Sequence, residues 1–98
     1  MNPIRVLIAD DEQPARGTIR LILKQIDNIE VVGECSNGED CIQFVKDNPN
    51  IDIIFMDIEM PGMGGLKAAA AIREIAPDIH IVFSTGYSEF AVDAFNLE

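Results

Sequence analysis

Acidic residues follow two apolar runs of this sequence, at places where a parallel sheet would bring them together. Asp10, Asp11 and Glu12 come directly after the mostly apolar residues 4–9, and Asp57 ends another apolar run that only Asp52 interrupts. If these runs form neighbouring parallel strands, their carboxyl ends meet at one edge of the sheet, and Asp10, Asp11 and Asp57 converge on a small patch. Acids also collect in polar loops without any function, but that alternative accounts poorly for all of them at once.

Three neighbouring carboxylates at such an edge need compensation. Two carboxylates about 4 Å apart repel each other by roughly 4 kcal/mol at an effective dielectric constant near 20. Either a cation binds between them or the pKa of one carboxyl rises. Oxygen ligands with open coordination positions favour Mg²⁺, which binds through few carboxylates and keeps several waters. The acids therefore predict a magnesium site.

The apolar pattern around these acids alternates between strands and helices. Four short, mostly apolar runs, at residues 4–9, 29–35, 51–56 and 80–84, predict buried parallel strands. Each run is followed by apolar residues at helical spacing, in four stripes: Ala15, Ile19, Ile22, Leu23 and Ile26; Cys41, Phe44 and Val45; Leu66, Ala69, Ile72 and Ala76; and Phe90, Ala91, Ala94 and Phe95. The predicted fold is α/β, a doubly wound parallel sheet with right-handed crossovers.

The composition argues against several classes of protein. Ninety-eight residues suffice for one domain, and a hydrophobic fraction of 48% against 24% charged residues is typical of globular proteins. Seven basic and 17 acidic residues give a net charge of −10, which repels nucleic acid and anionic lipid. No apolar run approaches the roughly 20 residues that span a bilayer. Two cysteines without metal-ligand spacing suit a reducing compartment, so we expect a cytoplasmic protein. From the net charge and the lack of a long apolar run we expect no direct binding to nucleic acid or to a membrane.

Three motifs make the sequence resemble a CheY-like response-regulator receiver domain of two-component signalling. They are VLIADDE at residues 6–12, IFMDIEMPGMGG at 54–65 and IVFSTG at 81–86. The resemblance implies the flavodoxin-like strand order 2-1-3-4 for the strands present here. It also implies a signalling domain that accepts a phosphoryl group, rather than an enzyme acting on a separate substrate.

The resemblance assigns roles to individual residues. Asp57 is implied to be the phosphoacceptor, taking its phosphoryl group from the phosphohistidine of a sensor histidine kinase. Asp10 and Asp11 are implied to bind Mg²⁺ together with the Asp57 carboxylate and the backbone carbonyl of Glu59. Thr85 is implied to donate its hydroxyl to a phosphoryl oxygen. Phosphorylation would then control an attached output domain.

Two further segments resemble the LytR/AlgR branch of the family. They are EQPAR at residues 12–16 and YSEFAVDAF at 87–95. In that branch the receiver precedes a LytTR DNA-binding domain that regulates transcription. The resemblance therefore implies a DNA-binding output domain outside this chain.

The sequence departs from the family at its C-terminal side. We expect residues 1–98 to form a receiver domain that is C-terminally incomplete, because the family's fifth strand, its lysine and its fifth helix lie beyond Glu98. Without that helix, apolar side chains of strands one and three should be exposed, and the chain could associate with itself through them.

Two other functions are compatible with some of these features. A haloacid-dehalogenase-like phosphatase requires Asp-x-Asp after the first strand, which this chain does not have there. A pseudo-receiver, a binding module without phosphorylation, stays open because the family's lysine is absent. Cys35 and Cys41 are predicted to be buried thiols, and Arg16 and Arg20 to be solvated charges on a helix that contacts the kinase in the family.

Overall fold

The computed structural model describes residues 2–84. In chain order its elements are β1 (Ile4–Ala9), α1 (Gln13–Lys24), β2 (Ile29–Cys35), α2 (Gly38–Asp47), β3 (Ile53–Asp57), α3 (Gly65–Ile75) and β4 (His80–Ser84). Three strands have the predicted bounds, while β3 begins two residues later than the apolar run of residues 51–56. Thr85 and the predicted fourth helix lie outside the described residues.

The four strands form one parallel sheet in the order β2-β1-β3-β4. The predicted fold class and the predicted strand order 2-1-3-4 are therefore confirmed. Ala9, at the end of β1, pairs with Met56 of β3 and with Cys35 of β2. The carboxyl ends of these strands thus lie side by side. Asp10 directly follows Ala9 and Asp57 directly follows its partner Met56, so the two acids lie at the same edge of the sheet.

Helices cover both faces of the sheet because the strands are apolar on both sides. On one face, Leu7 and Ala9 belong to a buried cluster with residues of α2 and α3. On the other face, Val6 and Ile8 form a second buried cluster with Leu23 of α1. Side chains alternate along a strand, so one strand contributes to both cores. The two cores hold β1 in place in the sheet, and with it the position of Asp10 at its carboxyl end.

Local signals set the ends of the helices. A proline occupies the first turn of α1, where its missing N–H costs no hydrogen bond. The side chain of Asn37 caps α2 by accepting the backbone N–H of Asp40 at 2.8 Å. Pro49 and Pro77 follow soon after α2 and α3, which end at Asp47 and Ile75. Among residues 2–84, no helix is both long and apolar enough to cross a bilayer.

In the described part of the chain, three large side chains of the predicted apolar stripes are exposed. Ile22, Ile26 and Leu66 are 56%, 50% and 49% exposed. α1 ends at Lys24, so Ile26 lies past the helix, and Leu23 alone of this helix is buried. In α3 the small side chains of Ala68 and Ala69 contact the core in place of Leu66.

The predicted exposure of the sheet was wrong for the first strand. Val6 and Ile8 are fully buried, since Leu23 of α1 packs on them. Ile53 and Phe55 of β3 are half-buried and pack against the same cluster. Self-association through this face stays a prediction.

Candidate functional site

Three carboxylates cluster where β1 ends. The side chains of Asp10, Asp11 and Glu12 each place an oxygen within 4.8 Å of the other two. Asp10 is buried, whereas Asp11 and Glu12 are exposed. The backbone N–H of Glu12 donates to Oδ1 of Asp10 at 2.9 Å, which fixes the orientation of that carboxyl. Glu12 was not among the predicted ligands, although it follows Asp11 directly.

Asp57 is the last residue of β3 and is buried at the same edge of the sheet. Burial, reinforced by the neighbouring negative charge of Asp10, raises the pKa of Asp57 to about 6 from an ordinary value near 3.9. The backbone N–H of Glu59 donates to Oδ1 of Asp57 at 3.3 Å and opposes this rise. Asp11 contributes a further repulsion. Asp10 and Asp11 thus lie near enough to raise the pKa of Asp57, although Asp57 is not one of the three acids whose oxygens lie within 4.8 Å of one another.

The loop after β3 brings the start of α3 against the backbone of Asp57. The N–H of Gly65 donates to the carbonyl oxygen of Ile58 at 2.8 Å. A Cβ atom on Gly65 would overlap the carbonyl oxygen of Asp57, so only glycine fits there. Gly64 adopts a φ of 80°, which side-chain-bearing residues rarely adopt. These glycines let the chain turn back directly beside the buried carboxyl.

An arginine that the sequence interpretation assigned to the solvated surface contacts this site. The Arg16 side chain is only 17% exposed. Its Nη1 donates to the carbonyl oxygen of Asp10 at 2.6 Å, and its Nε donates to Oε1 of Glu34 at 2.9 Å. Arg20 donates to the other oxygen of the same glutamate at 2.8 Å. No sequence signal reveals this contact, because Glu34 lies 18 residues further along the chain than Arg16.

The other predicted residues have varied placements. The predicted burial of Cys35 and Cys41 is confirmed, and both belong to the larger core cluster. Glu59 is exposed, and its N–H faces Asp57. Ser84 of β4 lies in register with Asp57, and its hydroxyl oxygen is buried without a partner in the described part of the chain. Thr85 falls outside the described residues.

The residues at this edge of the sheet fit a hard divalent cation. Their donors are carboxylate oxygens, which Mg²⁺ prefers, and two of the acids are exposed enough to leave coordination positions for water. Burial and the neighbouring acids raise the pKa of Asp57, so they disfavour its negative charge more than the N–H of Glu59 stabilises it. A bound cation would compensate that charge.

Comparisons with known proteins agree with this geometry. Residues 6–98 match the response regulator receiver domain family. The transcriptional regulatory protein BtsR of Salmonella typhi is 44% identical over 94 residues, which cover 94% of this chain and 38% of that protein. The solved response regulatory domain of protein mrkE from Klebsiella pneumoniae is 34% identical, with a TM-score of 0.80, and the match covers 95% of this chain and 75% of that one.

A further structural relative comes from the CheX–CheY–BeF3–Mg²⁺ complex of Borrelia burgdorferi. One of its chains has a TM-score of 0.83 and 26% identity, over 97% of this chain and 72% of that one. The chain spans about two-fifths of the length of the curated relative BtsR. The branch of the family stays a prediction, because these three relatives are not named as LytTR proteins. On the match over residues 6–98 and the identity to its relatives, the chain belongs to the response regulator receiver domain family.

Proposed function

We propose that this domain accepts a phosphoryl group on Asp57 from the phosphohistidine of a sensor histidine kinase in the cytoplasm. The observation that most directly supports this proposal is the buried carboxyl of Asp57, whose pKa burial and the neighbouring Asp10 raise to about 6. At neutral pH this carboxyl is mostly ionised, hence nucleophilic, yet burial and Asp10 disfavour its charge. Such a group is suited to react when a cation and a phosphoryl donor arrive together.

The transfer exchanges one bond to phosphorus for another. An oxygen of the Asp57 carboxylate attacks phosphorus and forms an O–P bond, while the N–P bond to the kinase histidine breaks. The histidine nitrogen leaves with the electron pair of that bond, and the product on Asp57 is an acyl phosphate. The N–H of Glu59, which donates to Oδ1, orients the carboxylate for this attack.

The residues that would bind Mg²⁺ are Asp10, Asp11 and Asp57 through their carboxylates and Glu59 through its backbone carbonyl. The cation, when bound, offsets the repulsion between the anionic nucleophile and the anionic phosphoryl group. Asp10 is oriented for this role by the N–H of Glu12. The presence of Mg²⁺ in the Borrelia burgdorferi complex supports the assignment.

Activation follows from the charge that the acyl phosphate adds at the edge of the sheet. We assign Thr85 the role of donating its hydroxyl to a phosphoryl oxygen, as the resemblance implies. This position directly follows Ser84, which pairs with Asp57 across the sheet. Such a contact would couple the phosphorylated site to the surface beyond β4 and bias it between two states.

The output of this signal is transcription regulation by an attached DNA-binding domain. BtsR, which matches this chain over only 38% of its own length, is named a transcriptional regulatory protein. We assign the output domain to the LytTR type on the resemblance of residues 12–16 and 87–95. The coding sequence after Glu98 tests this assignment directly, and a LuxR-type domain there would overturn the branch while leaving the phosphoacceptor proposal intact.

Intact mass spectrometry tests the phosphoacceptor proposal. The protein is incubated with Mg²⁺ and acetyl phosphate, beside an Asp57→Asn variant and a sample with excess EDTA. We expect one phosphoryl adduct that requires both Mg²⁺ and Asp57, and that hydroxylamine removes because it is an acyl phosphate. An adduct that persists in the Asp57→Asn variant would place the phosphoryl group elsewhere. No adduct, with the fold intact, would favour the pseudo-receiver.

A further inference from the structure

The guanidinium of Arg16 bridges the metal-site loop and the neighbouring strand. It donates from Nη1 to the carbonyl oxygen of Asp10 at 2.6 Å and from Nε to the carboxylate of Glu34 at 2.9 Å. Glu34 lies in β2, and the side chain of Arg16 is 17% exposed. One planar group therefore joins the end of β1, the first half of α1 and the end of β2.

The peptide of Asp10 is fixed on both sides by these contacts. Its N–H donates to the carbonyl oxygen of Cys35 at 3.0 Å, and its carbonyl oxygen accepts from Arg16. The next turn is fixed as well, because the N–H of Glu12 donates to Oδ1 of Asp10 and the N–H of Arg16 donates to the carbonyl oxygen of Glu12 at 3.2 Å. Rotation of the Asp10–Asp11 peptide would break the bond to Arg16. The backbone direction at Asp11, from which its carboxylate extends, thus depends on that bond, while the N–H of Glu12 orients the carboxylate of Asp10.

We infer that Arg16 is a positioning residue for a divalent cation at Asp10 and Asp11, anchored for that role by Glu34. Arg16 is not a ligand, since a cation does not coordinate a cation. It acts through the carbonyl of Asp10, and its positive charge lowers the repulsion among the nearby carboxylates. This inference rests on the proposed function, because it assumes that the acidic edge binds Mg²⁺.

The chemistry of arginine explains why this residue type is needed. A guanidinium presents donors in a rigid fork and can contact two acceptors in fixed directions at once. A lysine at residue 16 would keep the charge but would have to choose between the carbonyl of Asp10 and the carboxylate of Glu34. Arg20 offers the matched comparison. In the part of the chain that the structure describes, Arg20 pairs with the same Glu34 and has no hydrogen bond to Asp10.

Isothermal titration of Mg²⁺ into four forms of the protein tests the inference: the wild type and the variants Arg16→Met, Arg16→Lys and Arg20→Met. We expect roughly 10-fold weaker affinity in Arg16→Met, at the lower end of the loss seen when partners of metal ligands are removed. Arg16→Lys should fall between it and the wild type. Arg20→Met should stay within about two-fold of the wild type, because it removes only an ion pair on the surface. Unfolding by urea in EDTA provides the stability of each form.

A purely structural role for Arg16 predicts a different result. The two methionine variants would then lose Mg²⁺ affinity in proportion to their loss of unfolding free energy, and equal affinities in both would overturn the inference. If Arg16→Met does not fold, the comparison of Arg16→Lys with Arg20→Met decides, since Arg16→Lys keeps the positive charge but loses the guanidinium fork, whereas Arg20→Met keeps the fork of Arg16 and its bond to Asp10. Equal affinities there would also overturn it.

Phosphorylation of the same samples separates the inference from the proposed function. If the wild type binds Mg²⁺ and the variants rank as expected, but no phosphoryl adduct forms, the proposed function fails and the positioning role stands. If the wild type is phosphorylated but Arg16→Met binds Mg²⁺ as tightly, the positioning role alone fails. A wild type that binds no Mg²⁺ would overturn both.

Discussion

The backbone of Gly65, at the start of α3, packs directly on the carbonyl oxygen of Asp57, leaving no space for a Cβ atom. This contact sets the distance between the helix and the candidate phosphoacceptor. A Gly65→Ala variant should therefore lose about 1–3 kcal/mol of unfolding free energy, the usual cost of forcing extra atoms into a packed site. Urea unfolding monitored by circular dichroism measures it.

Gly17→Ala is the matched control for that variant. Gly17 lies in α1, and a Cβ atom there would meet nothing within 4 Å. Alanine favours helix over glycine by roughly 1 kcal/mol, so this variant should be more stable than the wild type. If both variants are stabilised, the close approach of Gly65 to Asp57 does not exist in solution.

The raised pKa of Asp57 predicts a stability that depends on pH. Burial and Asp10 raise this pKa to about 6, so the folded state disfavours the ionised carboxyl. The protein is therefore most stable where the Asp57 carboxyl is protonated. It loses stability as pH rises from about 4, the unfolded pKa, through about 6. In EDTA, an Asp57→Asn variant should then be more stable than the wild type above pH 6, with the difference vanishing near pH 4. Urea unfolding across this pH range measures the difference.

Saturating Mg²⁺ should reverse that order. A cation that binds only the folded state stabilises the wild type by mass action, and Asp57→Asn removes one of the proposed ligands. Asp78→Asn, which removes an equal charge from an exposed residue before β4, controls for net charge. If Asp57→Asn is no more stable than Asp78→Asn in EDTA at pH 8, then the folded state does not disfavour the ionised carboxyl of Asp57.

The strands and the site acids were predictable because both depend on local order along the chain. A mostly apolar run followed by acids marks β1, and the same pattern places Asp57 at the end of β3. The parallel topology then brings Asp10 and Asp57 to the same edge. The contact of Arg16 with Asp10 was not predictable, since it needs Glu34 of β2 to fix the guanidinium, and helical periodicity places Arg16 on the surface.

Some residues of the predicted apolar stripes are exposed for a related reason. Periodicity tells which residues share a helix face, but not how much of that face a neighbouring element covers. α1 packs on the sheet through Leu23, which leaves Ile22 exposed. In α3, Ala68, Ala69 and Ile72 are buried, whereas Leu66 is exposed. Coverage of this kind is a property of the assembled layers.

The cap of α2 gives a stability prediction independent of the acidic site. Oδ1 of Asn37 accepts the N–H of Asp40 at 2.8 Å at the start of the helix. Asn37→Ala should cost about 1 kcal/mol of unfolding free energy, whereas Asn37→Ser should cost much less because serine also caps helices. Equal losses in the two variants, by urea unfolding, would show that the side chain of Asn37 acts through something other than this cap.

Glu34 should show the opposite pH dependence from Asp57. Hydrogen bonds from Arg20 and Arg16 lower the pKa of Glu34 against the opposing effect of its burial. A lowered pKa contributes stability that is present above the unfolded value, about 4.3, and is lost as pH falls through the folded value. Glu34→Gln should therefore be less stable than the wild type at pH 7, by less than about 1 kcal/mol because water screens these exposed charges. The difference should shrink below pH 4 and also at high salt.

Glu30→Gln is the matched control for that substitution. Glu30 also lies in β2 and pairs with Arg5 at 3.5 Å, a longer contact with a single arginine. At pH 7, Glu30→Gln should change the unfolding free energy less than Glu34→Gln does. Because Asp57→Asn gains stability relative to the wild type as pH rises and Glu34→Gln loses it, a common sign for the two in EDTA would contradict the electrostatics of this site. Urea unfolding of both variants in EDTA, between about pH 3.5 and 8, measures the two differences and their signs.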